Sequence, residues 1–264
     1  MDEPALASSP PARAVAMRGA AAPAPRLHAL RPYQIEAARA VLRSVHERAG
    51  RTITIEIARQ GGKNELSAQI ETFLLALAAP RHREAVKCAP TRNPQLFISM
   101  RRLHMMLARA GLAPIVQSEP NAIRVGASRI HFLSAERDAN VVGHTANLLL
   151  EVDEAQDVDP EKFEREFAPM GATANVTTVM YGTAWDGSTL LERARQANLE
   201  AERRDGVRRH FEYDWQHVAR FNPAYRAYVE EQRQKLGDTH PVFLTQYCLK
   251  PIAGAGRLFS NVQQ

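Results

Sequence analysis

The chain has 264 residues, 45% of them hydrophobic and 24% charged, enough to bury one sizeable core with a small appended unit. A formal net charge of +5 favours an acidic partner such as nucleic acid, although a plain basic surface accounts for such a charge about as often. Two cysteines, Cys88 and Cys248, exclude a disulfide framework or a cysteine-rich zinc site, and no apolar run approaches the ~20 residues that span a bilayer.

Residues 1–26, rich in Ala and Pro, read as a disordered tail that carries no fold. Pro32 suits a first helical turn, and Ile35, Ala38, Val41, Leu42 and Val45 recur at helical spacing before Gly50. Alternation over 52–57 predicts the first strand, a glycine-rich turn follows, and 65–79 reads as a helix. A second strand over 85–89 ends at Pro90-Thr91, with a helix over 95–110. Three short segments (114–117, 122–125 and 129–133) predict strands, the last two a hairpin around Gly126-Ala127-Ser128. Strands over 148–152 and 176–181 come next, then helices over 189–203, 223–236 and around 242–247. This alternation implies an α/β fold: a mainly parallel sheet flanked by helices, with a small helical lid or linker subdomain. The expected divisions are a core over 27–184, the lid over 185–250 and the start of a further linker over 251–264.

Two stretches carry the chemistry. In Ala58-Arg59-Gln60-Gly61-Gly62-Lys63-Asn64 a strand feeds a glycine-rich turn and then a helix, an arrangement that cradles phosphates. Backbone N–H groups and the helix N-terminus face the anion, and an ammonium at Lys63 reaches the β- and γ-phosphates. The usual G-x-x-x-x-G-K-[ST] spacing is met only in part, since Ile57 holds the first glycine's place and Asn64 that of the hydroxyl residue. Taken alone, the turn reads equally well as a Gly-Gly bend before an exposed lysine. The second stretch is the apolar run Leu148-Leu149-Leu150, ending Glu151-Val152-Asp153-Glu154. Asp153 suits magnesium, shared with the Asn64 amide, and Glu154 suits activation of a water; an Asp-Glu pair also serves as a helix N-cap. Glu151 interrupts the apolar strand, and nothing in the sequence accounts for it.

With these motifs in order, the chain resembles the P-loop (ASCE/RecA-like) ATPase domain of the large terminase subunit, the DNA-packaging motor of tailed bacteriophages and their prophages. The resemblance covers about residues 28 to 260. Arg59-Gln60-Gly61-Gly62-Lys63 is similar to the family's variant phosphate loop, with Asn64 and Glu65 following it. Leu30-Arg31-Pro32-Tyr33-Gln34 resembles the adenine-recognising segment, where Tyr33 stacks on the base and Gln34 reads its edge; otherwise it is an ordinary helix start. Ala89-Pro90-Thr91-Arg92, the polar stretch Ser134–Asn140 with Gly143-His144-Thr145, Asp153-Glu154-Ala155-Gln156-Asp157 and the Tyr181-Gly182-Thr183-Ala184-Trp185 coupling segment also match in order.

The resemblance implies an ATPase using ATP and Mg²⁺ to translocate double-stranded DNA into a procapsid, in the host cytoplasm and with no membrane involvement. Lys63, Glu154, Arg59 and Thr183 are its expected catalytic residues; the nucleotide would lie against Tyr33, Gln34 and residues 59–65, with Mg²⁺ on Asn64 and Asp153. Expected partners are the portal protein and the small terminase subunit, with this chain in a homo-oligomeric ring when assembled. Gly256-Arg257-Leu258-Phe259 resembles the linker before the family's nuclease domain, so no nuclease activity is expected of these residues. Arg137 is the candidate for an arginine donated between ring neighbours, and Arg101-Arg102 with the arginines from 193 to 209 for DNA phosphates, although the interspersed Glu192, Glu200 and Glu202 favour an ordinary solvated helix face. Two other readings stand beside this one. A superfamily-2 helicase shares the Gln-containing adenine motif and the Asp-Glu-Ala box, but needs a second motor lobe. A non-catalytic, nucleotide-binding prophage remnant fits Asn64.

Overall fold

The structure is a computed structural model and describes residues 28–252. The expected tail over 1–26, and the expected linker over 251–264 beyond its first two residues, lie outside them. In chain order the elements are α1 (Pro32–Glu47), β1 (Thr52–Ile57), α2 (Lys63–Ala78), β2 (Glu84–Ala89), α3 (Phe97–Arg109), β3 (Val116–Glu119), β4 (Ala122–Val125), β5 (Ser128–Ser134) and β6 (Leu149–Val152). There follow α4 (Pro160–Lys162), α5 (Ala168–Ala172), β7 (Thr178–Gly182), α6 (Leu190–Asp205), β8 (His210–Tyr213), α7 (Trp215–Ala219), α8 (Pro223–Leu236) and α9 (Pro241–Gln246).

One eight-stranded sheet runs β3-β4-β5-β2-β6-β7-β1-β8. The six strands from β5 to β8 are parallel, and β3 and β4 add an antiparallel edge. β1, β2 and β6 are buried on both faces, as expected of a parallel sheet covered by helices on each side, so that even their polar residues Thr54, Glu56, Lys87 and Glu151 are enclosed. Side chains alternate between the faces. Ile53, Ile55, Ala85, Leu149, Val179 and Tyr181 pack beneath Leu66, Ile70 and Leu74 of α2 and Leu103 and Leu107 of α3. On the opposite face Val86, Cys88, Leu150, Val152 and Met180 meet Phe163, Phe167, Met170, Leu190 and Leu191.

The expected helical unit over 185–250 contains a strand. β8 lies beside β1, registering Thr54 with His210 and Ile57 with Tyr213, and so completes the sheet. Four residues are too few to display a period in sequence, and their pairing is decided by a partner more than 150 positions away. Asn198 of α6 also reaches the sheet, donating to the Thr54 hydroxyl at 3.0 Å. The helical part that stands over the phosphate turn is α7 to α9. Among the described residues, no helix is long and apolar enough to cross a membrane.

Candidate active site

The parallel strands end on one side of the sheet, where open α/β sheets bind ligands. At that edge the turn after β1 is held from several directions. Ala58 N–H donates to the Tyr213 carbonyl (3.0 Å), Arg59 N–H to the Gln246 carbonyl (2.7 Å), and Gly61 N–H back to Ala58 (2.8 Å). The Tyr225 hydroxyl of α8 donates to the Arg59 carbonyl at 2.9 Å. A Cβ at position 61 would meet Ile57 at 2.5 Å and the Ala58 carbonyl at 2.7 Å, and Gly62 has φ +96°, so both glycines are required by the turn. Gly62 starts α2, whose first residue is Lys63. The helix N-terminus therefore opens onto the cleft.

The cleft has a volume of about 730 Å³. Arg59, Gln60, Gly62, Lys63, Asn64 and Glu65 line it from the turn, with Glu154 and Thr183 from the ends of β6 and β7. Gln95, Arg102, Gln156, Asp157, Trp185, Val242 and Gln246 complete the wall. In sequence Gln156, Asp157 and Trp185 belong to motifs without a role of their own, and Arg102 is a candidate for DNA phosphates or for a solvated helix face. In the structure Arg102 instead pairs with Glu65 at 3.3 Å across the cleft. No sequence signal marked Val242 or Gln246, which arrive by tertiary packing of α9.

Lys63 Nζ donates to Glu154 Oε2 at 2.8 Å, so the two motifs meet directly. Burial acts to raise the Glu154 pKa, but the Lys63 charge and hydrogen bond outweigh it and hold the carboxyl below its ordinary range. Glu154 sits in the left-handed region at φ 48°, a conformation uncommon for a non-glycine residue. Gln156 braces it, donating to the same oxygen at 2.9 Å, while the Gln156 amide oxygen accepts from Thr183 N–H at 3.3 Å. Glu154 and the Gly-Thr turn are thus joined through one side chain. The Thr183 hydroxyl is buried and has no hydrogen-bond partner among the described residues.

Tyr33 and Gln34, expected at the nucleotide base, lie against the phosphate turn in this structure. The Tyr33 hydroxyl donates to the Gly61 carbonyl at 2.6 Å and its ring, 5% exposed, packs against Tyr213 and Phe221. Gln34 donates to the Gly62 carbonyl at 2.9 Å and accepts from Arg31 N–H. Neither lines the cleft; both support the turn from below, their polar ends committed to its carbonyls. Gly61 likewise supports rather than lines it. Asp153 is buried behind the cleft wall, accepting from the Ser99 hydroxyl at 3.3 Å and from Glu154 N–H at 3.1 Å.

The donor set around the cleft fits magnesium in its nucleotide-bound form. Among the described residues no group of three or more His, Cys, Asp or Glu side chains forms a metal cage. Asn64 on the cleft wall and Asp153 behind it would offer one amide and one carboxylate, the sparse set expected for an ion that takes most of its ligands from phosphates and water. Arg137, exposed, pairs with Asp159 at 3.3 Å.

A third polar cluster lies beneath α2. Lys87 of β2 donates to Glu71 (2.8 Å) and to the Ser67 hydroxyl (2.6 Å), and stands 3.8 Å from Glu151 of β6. Tyr181 of β7 donates to Glu151 at 2.8 Å. This accounts for the acid that breaks the apolar strand: Glu151 is the register partner of Lys87. Burial, and then the Glu71 charge, push Glu151 well above the usual carboxylate range. For Glu71 burial is outweighed by Lys87, which holds it low, so the pair carries one negative charge opposite one ammonium.

No protein-family model and no curated protein matches the sequence. Solved structures do match the fold. The large terminase of bacteriophage HK97 aligns with a TM-score of 0.67 over 85% of this chain and 51% of its own, at 19% identity. The large terminase ATPase domain of Thermus phage P74-26 aligns at 0.63, covering 81% of this chain and 92% of that domain, at 20% identity. The large terminase of a thermophilic bacteriophage in complex with ADP aligns at 0.62, over 83% and 53%, at 12% identity, and matches also in complex with ATP-γ-S. The chain spans about half the length of the HK97 terminase and of this nucleotide-bound one. Its fold is that of the large terminase ATPase domains.

Proposed function

We propose that this chain is the ATP-hydrolysing motor domain of a phage large terminase, driving double-stranded DNA into a procapsid. The observation that carries the reading is the contact of Lys63 with Glu154 at the mouth of a cleft edged by a glycine turn and a helix N-terminus. The thermophilic phage terminase whose fold this chain shares has been crystallised with ADP and ATP-γ-S, which supports a nucleotide as the ligand.

In this reading the β- and γ-phosphates of ATP draw Lys63 away from Glu154 and take its charge. Glu154, ionised at neutral pH and braced by Gln156, is then free to orient the attacking water. Magnesium held by Asp153 and Asn64 would neutralise charge on the phosphates. Arg59, on the cleft wall, stabilises charge developing on the γ-phosphate. Loss of that phosphate is felt at Thr183 through Gln156, and at α8 and α9 through the Arg59 backbone they grip. Duplex DNA, the portal protein, the small terminase subunit and neighbouring copies in a ring are the partners this reading assigns.

The test is magnesium-dependent release of phosphate from ATP by the full chain, with and without duplex DNA. Hydrolysis by wild type and its loss in Lys63→Ala is the expected result. A folded Lys63→Ala variant that hydrolyses ATP at the wild-type rate would remove the assignment.

A further inference from the structure

We propose that Glu151 is a positioning residue for ATP hydrolysis, holding the phosphate helix, the acid-bearing strand and the coupling strand in one fixed relation through the buried cluster with Ser67, Glu71, Lys87 and Tyr181. The inference rests on the ATPase reading above and adds to it residues that the reaction itself does not touch.

The argument is geometric. Three of the elements that lead to the cleft wall, or to the acid just behind it, also supply a cluster member one side-chain repeat away on the same face. On α2, Ser67 lies one turn beyond Lys63; on β6, Glu151 lies two residues before Asp153; on β7, Tyr181 lies two residues before Thr183. Glu151 contacts both of the others, with the Tyr181 hydroxyl at 2.8 Å and the Ser67 hydroxyl at 3.3 Å from each of its carboxyl oxygens. A slip of α2 along the sheet, or of β7 against β6, breaks these contacts before it reaches the cleft.

Stability alone is a poor reason for such a cluster. Glu71, Lys87 and Glu151 are 1%, 3% and 0% exposed, and well-packed apolar side chains in place of a buried ion group are often as stable or more so. What apolar packing does not supply is direction: hydrogen bonds fix distance and angle, where methyl groups tolerate a slide. In a site where a displacement of ~1 Å far from the chemistry can cost about 100-fold in rate, that fixed relation has a use.

The experiment compares wild type with Glu151→Leu, Glu151→Gln and Tyr181→Phe, reading kcat for ATP, the affinity for a fluorescent ATP analogue, and thermal unfolding of each. Glu151→Leu should unfold cooperatively, bind the analogue within about threefold of wild type, and lose about 10- to 100-fold in kcat. Glu151→Gln, which keeps the shape and the hydrogen bonds, should recover most of that loss. Tyr181→Phe removes one hydroxyl and no charge, and should lower kcat severalfold with Tm unchanged, which covers the case in which Glu151→Leu does not fold. A folded Glu151→Leu or Tyr181→Phe with wild-type kcat overturns the proposal, as does a kcat loss that only follows the loss of Tm. In either of those cases wild-type hydrolysis leaves the ATPase reading standing; a wild-type chain without hydrolysis overturns both.

Discussion

Two strands carry a buried glutamate, one on each face of the sheet, and their surroundings differ sharply. Glu151 on β6 meets a lysine, a serine and a tyrosine, and shares one negative charge with Glu71. Glu56 on β1 has Arg195 only at 3.8 Å and the acids Glu192 and Glu212 in its neighbourhood; one of its oxygens has no hydrogen-bond partner among the described residues. Burial first, and then the Glu212 charge, push Glu56 up to about 8. Burial thus pushes both carboxyls up, but one is built into a set of directed partners and the other is not. The first arrangement sits beneath the cleft's helix, and the second lies on the opposite face beside α6.

The comparison breaks most readily at Lys87. Lys87→Met leaves Glu71 and Glu151 without a counter-ion and should cost about 3–5 kcal/mol in urea unfolding, unless Glu71→Gln is added to restore neutrality. An uncompensated single variant as stable as wild type would show that the charges do not need each other. The Lys63–Glu154 pair is the third case, a partly exposed contact that must open for nucleotide. Glu154→Gln should lower kcat about 10²- to 10³-fold, roughly 3–4 kcal/mol, while ATP affinity holds or rises because Lys63 is no longer engaged by a carboxylate. Equal losses in binding and turnover would contradict this.

Glu56→Gln sharpens the other side, through pH. A folded pKa near 8, against an ordinary 4.5, means that the unfolded chain loses the proton first as pH rises. Stability is then full below pH 4.5, falls between 4.5 and about 8, and levels off above. At pH 7 the Gln variant should exceed wild type by on the order of 3 kcal/mol, with the gap closing by pH 4.5. A gap independent of pH would assign the gain to packing. The smallest effect is expected at Tyr225→Phe, which removes the hydroxyl from the Arg59 carbonyl and should destabilise by about 1 kcal/mol, with faster amide exchange in the phosphate turn.

Much of this architecture is readable in the sequence because it is local. Gly61, Gly62 and Lys63 stand together in the chain, and a turn followed by a helix N-terminus is determined by consecutive backbone angles. The hairpin at Gly126 is predicted on the same ground and is present, with Val125 opposite Ser128. Tyr33 and Gln34 have residue types that suit a nucleotide base; whether their polar ends find a base or a loop carbonyl depends on where α1 docks. β8 escapes for the reverse reason, since its short run has meaning only beside β1.

By itself the order of amino acids determined the phosphate turn, the acid pair at the end of a strand and the alternation of strands and helices, because each depends on neighbours a few residues apart. Only the tertiary structure decided that Lys63 closes on Glu154, that Arg102 lines the cleft and pairs with Glu65, and that Glu151 has Lys87 as its partner. Those contacts join residues 91, 37 and 64 positions apart, and their charges meet only after the sheet has set the register of β2 and β6 and packing has laid α2 and α3 across it.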